Sequence, residues 1–154
     1  MRRISLLVLL ISTASILSAA DPVLGTWRLN VAKSRYDPGP PPRSQTRIYR
    51  EENGEVKAVV VTVYKNGNTD TVHYAANYDG KEHPVSGSPD TDGILMKKVD
   101  DNTAESLLTH AGNTIGTARR TVSRDGLTMT ITFKGPGERG QQVNNTAFYD
   151  KQKE

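Results

Sequence analysis

A chain of 154 residues without a single cysteine fits one domain that must be held by its core rather than by disulfides. Its 20 basic and 17 acidic residues include Arg2 and Arg3, and without that pair the balance falls to 18 against 17, a net charge of +1. No basic run stands out in the remainder, which argues against nucleic acid or an anionic membrane surface as a partner.

The start has the pattern of a removable signal peptide. Arg2 and Arg3 supply positive charge, residues 4–17 form a mostly apolar run, and Ser18, Ala19 and Ala20 are the small residues a signal peptidase needs. Cleavage is expected between Ala20 and Asp21, giving a leader of residues 1–20 and a single mature domain of residues 21–154. The alternative, a retained membrane anchor, suits the run poorly, because it is short and contains Ser5, Ser12, Thr13 and Ser15. With no cysteine, a lipid anchor at the mature N-terminus has no attachment point. The expected product is exported, periplasmic or secreted, and soluble.

The first β-pattern follows directly. Val23, Gly25, Trp27, Leu29 and Val31 alternate with polar Thr26, Arg28 and Asn30, which puts the only tryptophan on the buried face of a strand. Its place near the strand's start suits a plug closing one end of the fold. Residues 32–36 have room for one helical turn. The stretch Asp37-Pro38-Gly39-Pro40-Pro41-Pro42 favours extended polyproline II and reads as a stiff surface connection.

From Ser44 to Asp150 the chain reads as about ten strands separated by hairpin signals. Asn53-Gly54, Asn66-Gly67, Asp79-Gly80 and Asp125-Gly126 are dipeptides that tolerate positive φ in two-residue turns, with Asp101-Asn102 and Gly112-Asn113 as weaker candidates. Longer breaks are expected at residues 86–92 and 135–140. An all-β, antiparallel up-and-down barrel of about eight to ten strands follows, because closure removes exposed edges. A two-sheet sandwich is the alternative, but it needs longer crossovers.

Two-residue turns also predict registers and faces. Asn66-Gly67 would set Val61 opposite Val72 and Val59 opposite Tyr74, and Asn53-Gly54 would set Ile48 beside Val59. Asp79-Gly80 would set Tyr74 opposite Val85 and Ala76 opposite His83. Asp125-Gly126 would set Val122, Arg120 and Ala118 opposite Met129, Ile131 and Phe133. The expected inner wall is then Ile48, Val59, Val61, Val63, Val72, Tyr74, Tyr78, Val85, Val122, Met129, Ile131 and Phe133. Residues 93–110 stay open, because a three-residue turn at residues 100–102 would invert one face.

These registers send Arg120 inward and Arg119 outward, with Arg50 inward but near a turn. A buried guanidinium is costly unless paired or stacked. Arg120 could stack on Trp27 as part of the barrel's closure, together with Gly25, or anchor an anionic head group in a bidentate fork. Tyr74, Tyr78 and His83 are the other candidate ligand contacts. His73 is expected outward, so no pair of histidines has ligand spacing on one face, and no metal or cofactor is expected. Asp90-Thr91-Asp92-Gly93 reads as a turn rather than a calcium loop, since Leu95 and Met96 fill the later ligand positions. Asn144-Asn145-Thr146 fits a glycosylation sequon but falls in an expected strand. No activated nucleophile or paired carboxylate emerges, so an enzyme is not expected.

Gly25-Thr26-Trp27 resembles the opening of the calycins, the lipocalins and fatty-acid-binding proteins. That resemblance implies an up-and-down barrel binding small apolar ligands, with a later arginine across the tryptophan, for which Arg120 is the best match. The strand count is similar to fatty-acid-binding proteins and nitrobindins, and residues 32–43 occupy the place of the former's helical lid. No helix pair fits that segment, the last strand lacks an Arg-x-Tyr, and no Thr-Asp-Tyr loop is present, so those ligand sites do not carry over. More of the chain is similar to exported bacterial lipocalin-like proteins. The shared residues are Gly25-Thr26-Trp27-Arg28-Leu29-Asn30-Val31-Ala32-Lys33-Ser34-Arg35-Tyr36, Pro38-Gly39-Pro40-Pro41-Pro42, Tyr78-Asp79-Gly80-Lys81 and Val143-Asn144-Asn145. This implies fold and export, and no activity. The expected function is binding of a small hydrophobic or amphipathic molecule. The alternative is a solidly packed barrel that acts as an interaction module, such as a hydrolase inhibitor or envelope factor.

Overall fold

The computed structural model describes residues 19–136 and 141–153. The basic and apolar parts of the leader lie outside the described residues, as does most of the break expected at residues 135–140. Ten strands follow one another: β1 (Gly25–Leu29), β2 (Ser44–Glu52), β3 (Glu55–Val63), β4 (Thr69–Ala76), β5 (Glu82–Ser86), β6 (Gly93–Lys98), β7 (Thr103–His110), β8 (Asn113–Val122), β9 (Thr128–Pro136) and β10 (Gln142–Lys151). Each pairs antiparallel with its chain neighbours, and β1 pairs with both β2 and β10, so the sheet closes into a barrel. Closure leaves no strand edge and rules out the sandwich. Among the described residues the only helical element is a 3-10 turn, Val31–Lys33, capped by the side chain of Asn30.

The proline-rich segment crosses one end of the barrel, held at both sides by backbone bonds. Arg35 pairs with Thr146, the Asp37 carbonyl accepts from Asn144 N–H at 2.7 Å, and Arg43 N–H donates to the Val63 carbonyl at 2.8 Å. At the opposite end, Val23, Trp27, Tyr49, Val56, Val122 and Met129 belong to one buried cluster. Trp27 is fully buried, and its indole N–H donates to the Val23 carbonyl at 2.7 Å, the partner a buried tryptophan requires. The tryptophan therefore plugs this end. The cation over its ring is Lys151, at 5.2 Å, and not Arg120 as expected. Arg120 lies over Tyr49 at 5.4 Å and Tyr78 at 5.9 Å instead.

Registers depend on turn length. At Asn53-Gly54 both residues have positive φ (55° and 79°), and Ile48 pairs with Val59 as expected. Across residues 124–127 the chain makes a four-residue loop, which keeps the parity of a two-residue turn, so Arg120 faces Ile131 and Val122 faces Met129. Tyr74 likewise faces Val85. The β3–β4 connection differs. Tyr64 N–H donates to the Asn68 carbonyl at 2.9 Å, making residues 65–67 a three-residue loop in which Gly67 takes the positive φ (88°).

That one extra residue shifts the pairing to Val60 with Val72 and Ala58 with Tyr74. The side chains of β2 and β3 consequently change faces. Val56, Ala58, Val60 and Thr62 are buried, while Ile48, Val59, Val61 and Val63, expected inside, face outward. Arg50 also points outward and is exposed. Gln45, Arg47 and Tyr49 take the interior in their place, since Arg47 pairs with buried Trp27 and Val60. The β6–β7 turn spans residues 100–102, with Val99 N–H donating to the Thr103 carbonyl at 2.9 Å. It sets Ile94, Met96, Ala104, Ser106 and Leu108 inward.

This assignment separates two neighbouring substitutions. Val56→Asp is expected to cost about 3 kcal/mol or more, by burying a carboxylate in the closed end. Val59→Asp, on the outer face, should cost no more than about 1 kcal/mol. Urea unfolding measures both, and the reverse order would restore the two-residue register.

Candidate functional site

Above the Trp27 plug the barrel encloses a cavity of about 410 Å³. Its mouth lies at the end crossed by the proline-rich segment and is lined by Tyr36, Tyr64, Ser88, Asp90 and Asn145. Its lining interleaves apolar Val60, Val72, Val85, Ile94, Leu108 and Ile131 with polar Gln45, Arg47, Tyr49, Tyr74, Arg120 and Tyr149; Val60 is the cross-strand neighbour of Arg47, and Ile131 that of Arg120. A wider hollow of about 870 Å³ continues outward over Pro89, His110, Ala111 and Pro136, sharing Ser88, Asp90, Thr91 and Phe133 with the inner cavity. The guanidinium groups belong to the inner cavity alone.

Arg47 and Arg120 are satisfied in different ways. Arg120 Nη2 donates to the Tyr78 hydroxyl at 2.6 Å, and that hydroxyl donates to Asp21 Oδ2 at 2.5 Å. Lys98 Nζ completes the cluster, 3.3 Å from Asp21 and 4.9 Å above the Tyr78 ring. Arg120 thus has a carboxylate one phenol away. Arg47 has none: its Nε donates to Gln45 Oε1 at 2.9 Å and to the Tyr149 hydroxyl at 3.1 Å, and Nη1 donates to the Tyr49 hydroxyl at 3.3 Å. Among the described residues no carboxylate lies within ion-pair distance of Arg47, and its Nη2 makes no hydrogen bond.

The acceptors around Arg47 are themselves fixed. Gln45 Oε1 also accepts from the Tyr149 hydroxyl at 2.5 Å, and Gln45 Nε2 donates to Thr62 Oγ1 at 2.8 Å. Burial works against the charge on Arg47, but the phenols Tyr149, Tyr49 and Tyr74 outweigh it and hold the guanidinium protonated. Burial raises Tyr74 and Tyr149 as well. Burial also raises Tyr78, to about 12, against the lowering effect of Arg120. Tyr49 alone among the interior phenols shifts downward: burial opposes this, and Arg47 and Arg120 overcome it.

Of the residues singled out in the sequence, Arg120 and Tyr74 line the cavity. Tyr78 lies below it, between Arg120 and Asp21, and Gly25 and Trp27 sit at the closed end. His83 pairs with inward Ile94, yet its ring is bonded to Asp79 Oδ1 at 3.0 Å beside the β4–β5 turn and does not line the cavity. His73 is exposed, and His110 stands at the rim, 3.7 Å from Asp92. Among the described residues no group of three His, Cys, Asp or Glu could hold a metal ion. Gln45, Arg47 and Tyr49 are not readable as a site from the sequence, because the β2 face hangs on the β3–β4 turn, and Tyr149 lies on β10, whose register no two-residue turn predicts. The arrangement offers a planar cationic fork with spare donors in a cavity of mixed apolar and polar lining.

Asp21 provides a direct electrostatic test of the lower cluster. Its burial raises the carboxyl, but the Tyr78 hydroxyl, the Val23 N–H and the charges of Arg120 and Lys98 hold it below its ordinary value. A carboxyl depressed in the folded state stabilises the fold above the unfolded value of about 4, and that contribution is lost as pH falls through the folded value. Asp21→Asn should therefore lower the urea midpoint at neutral pH. It should also lose less stability than the wild type on acidification from about pH 5 to about pH 2. An identical acid limb in both proteins would contradict the cluster.

No known family profile matches the chain, and no curated protein matches it. A closed antiparallel barrel of ten strands fits a calycin-like fold in general.

Proposed function

We propose that this chain is an exported, lipocalin-like protein that binds a small amphipathic molecule by its anionic head group. One observation carries the reading: Arg47 stands half-buried in the lining of a mouth-accessible cavity with donors to spare and no carboxylate partner among the described residues. A guanidinium in that setting costs several kcal/mol to desolvate unless an anion compensates it. An incoming carboxylate would complete its fork, while the tail would lie along Val60, Val72, Val85 and Ile131 toward the mouth. The volume of about 410 Å³ falls within the range of about 300–1,000 Å³ typical of small-molecule sites. A packed interaction module, the alternative, would be favoured by a filled interior. Export rests on the leader's pattern, and the binding role involves no bond-making step.

Calorimetric titration with dodecanoate and with dodecanol tests the reading. Dodecanoate is expected to bind the more tightly, and Arg47→Leu should weaken it by about 10- to 100-fold, the value of a charged hydrogen bond of about 1.5–3 kcal/mol. Dodecanol should bind Arg47→Leu as it binds the wild type. Arg47→Lys, which keeps charge but loses the fork, should fall between them. Equal affinity for acid and alcohol, or no binding of either, would refute an anionic head-group site.

A further inference from the structure

Arg47 is one of two guanidinia lining the inner cavity, and the second lacks a direct counter-charge as well. Arg47 comes from β2 and Arg120 from β8, four strand steps apart in the closed order, so they project from nearly opposite walls. Tyr49 touches both: Arg47 Nη1 donates to its hydroxyl at 3.3 Å, and the Arg120 guanidinium lies 5.4 Å from its ring centroid. The shorter phenol bonds lead away from each other, from Arg47 to Tyr149 at 3.1 Å and from Arg120 to Tyr78 at 2.6 Å. Every acceptor in this set is a phenol or the Gln45 amide, which satisfies a donor without cancelling its charge. Among the described residues no carboxylate lies within ion-pair distance of either guanidinium. Asp21, which reaches Arg120 through the Tyr78 hydroxyl, is already 3.3 Å from Lys98 Nζ. One carboxylate thus stands against three cations, Arg47, Arg120 and Lys98. The Lys98 side chain is 38% exposed and holds Asp21 directly, so the two uncompensated charges fall on the guanidinia.

We propose that the head group this cavity takes is doubly charged, of the phosphate-monoester class, and that it bridges Arg47 and Arg120. The proposal rests on the binding reading above and narrows its ligand. A carboxylate brings one charge and two oxygens, enough to fill one guanidinium fork. It would leave the other guanidinium desolvated and unpaired, which is costly. A phosphate monoester presents three terminal oxygens and nearly two negative charges above its second ionisation at about pH 6. Its tetrahedral oxygens point to two walls at once, which suits forks arriving from β2 and β8. The donors are at hand: Arg47 Nη2 and Arg120 Nε and Nη1 make no hydrogen bond among the described residues. Gln45 and Tyr149 hold Arg47 in place, and Tyr78 holds Arg120, so neither fork has to be ordered by the guest. No covalent step is involved.

Decyl phosphate and decyl sulfate, titrated calorimetrically below their micellar concentrations, separate charge from shape. Both heads are tetrahedral, but the sulfate is a monoanion throughout while the phosphate gains its second charge near about pH 6. A site that prefers the dianion lowers the phosphate's second ionisation in the complex, so affinity is present above that pH and lost as pH falls through it. Between pH 5 and pH 8 the decyl phosphate affinity should rise by about five- to tenfold relative to decyl sulfate. The sulfate absorbs any effect of the protein's own titrating groups, including His110 and Asp92 at the rim. Phosphorus-31 NMR of bound decyl phosphate should show the dianion persisting below the pH at which it is lost in water. Arg120→Gln should flatten the phosphate profile onto the sulfate one, and the wild-type comparison decides if that variant fails to fold. Parallel profiles in the wild type, or a bound resonance that titrates as in water, overturn the dianion assignment while leaving an anionic head-group site at Arg47. A rise that survives in Arg120→Gln overturns the bridge. Binding of neither amphiphile overturns this proposal and the head-group reading together.

Discussion

A guanidinium enclosed in a β-barrel without a carboxylate beside it is the constraint on which the rest of this interior turns. Desolvating such a group is expensive, and a hydrogen-bonded network is acceptable only when its members are all fixed. Around Arg47 the fixing is done by Gln45, Tyr49 and Tyr149, with Thr62 holding Gln45 in turn. Those residues come from β2 and β10, the strands that flank the five-residue β1, and from β3, which pairs with β2. The same bonds that satisfy the charge therefore clasp the barrel across its short first strand. The proposed binding role and the closure of the barrel would draw on one network.

The two ends of the barrel have opposite characters for reasons that trace to single residues. At the closed end the indole of Trp27 fills the section, and Asp21, Tyr78, Lys98 and Arg120 form a cluster of one carboxylate and two cations linked through a phenol. At the open end the proline-rich segment spans from β10 to β3 without entering the barrel, because consecutive prolines cannot supply the ladder's donors. The cavity lies between them, with Arg47 and Arg120 in its lining and Tyr36, Tyr64, Ser88, Asp90 and Asn145 at its mouth. An amphipathic guest has one favourable orientation in such a field, acid end down.

How much of this was legible in the sequence depended on loop parity. Asn53-Gly54 carries positive φ at both positions and behaved as its residue types require. The loop at residues 124–127 is longer than two residues but even, so Arg120 was assigned inward for the right face and the wrong turn. Asn66-Gly67 contains the same dipeptide as a two-residue turn, yet Asn66 Oδ1 accepts from Asn68 N–H at 3.0 Å and the loop gains Lys65. Side-chain capping of a turn is a local competition that a dipeptide does not reveal. Its consequence was large: a run of four consecutive aliphatic residues, Ala58 to Val61, with Val63 beyond Thr62, is apolar on both faces and could not correct the error. Arg47 was lost to the outer face with it. The cation over Trp27 was misassigned for a different reason, because β10 reaches Trp27 directly through Lys151 while Arg120 lies several strands away around the wall.

Carbon-13 NMR of carboxyl-labelled dodecanoate bound to the protein addresses the acid-down arrangement most directly. The expected result is one bound carboxyl resonance that stays ionised well below the ordinary carboxyl value of about 4, because Arg47 stabilises the anion. A bound resonance that titrates as it does in water would place the acid at the mouth, and would contradict a head-group site at Arg47.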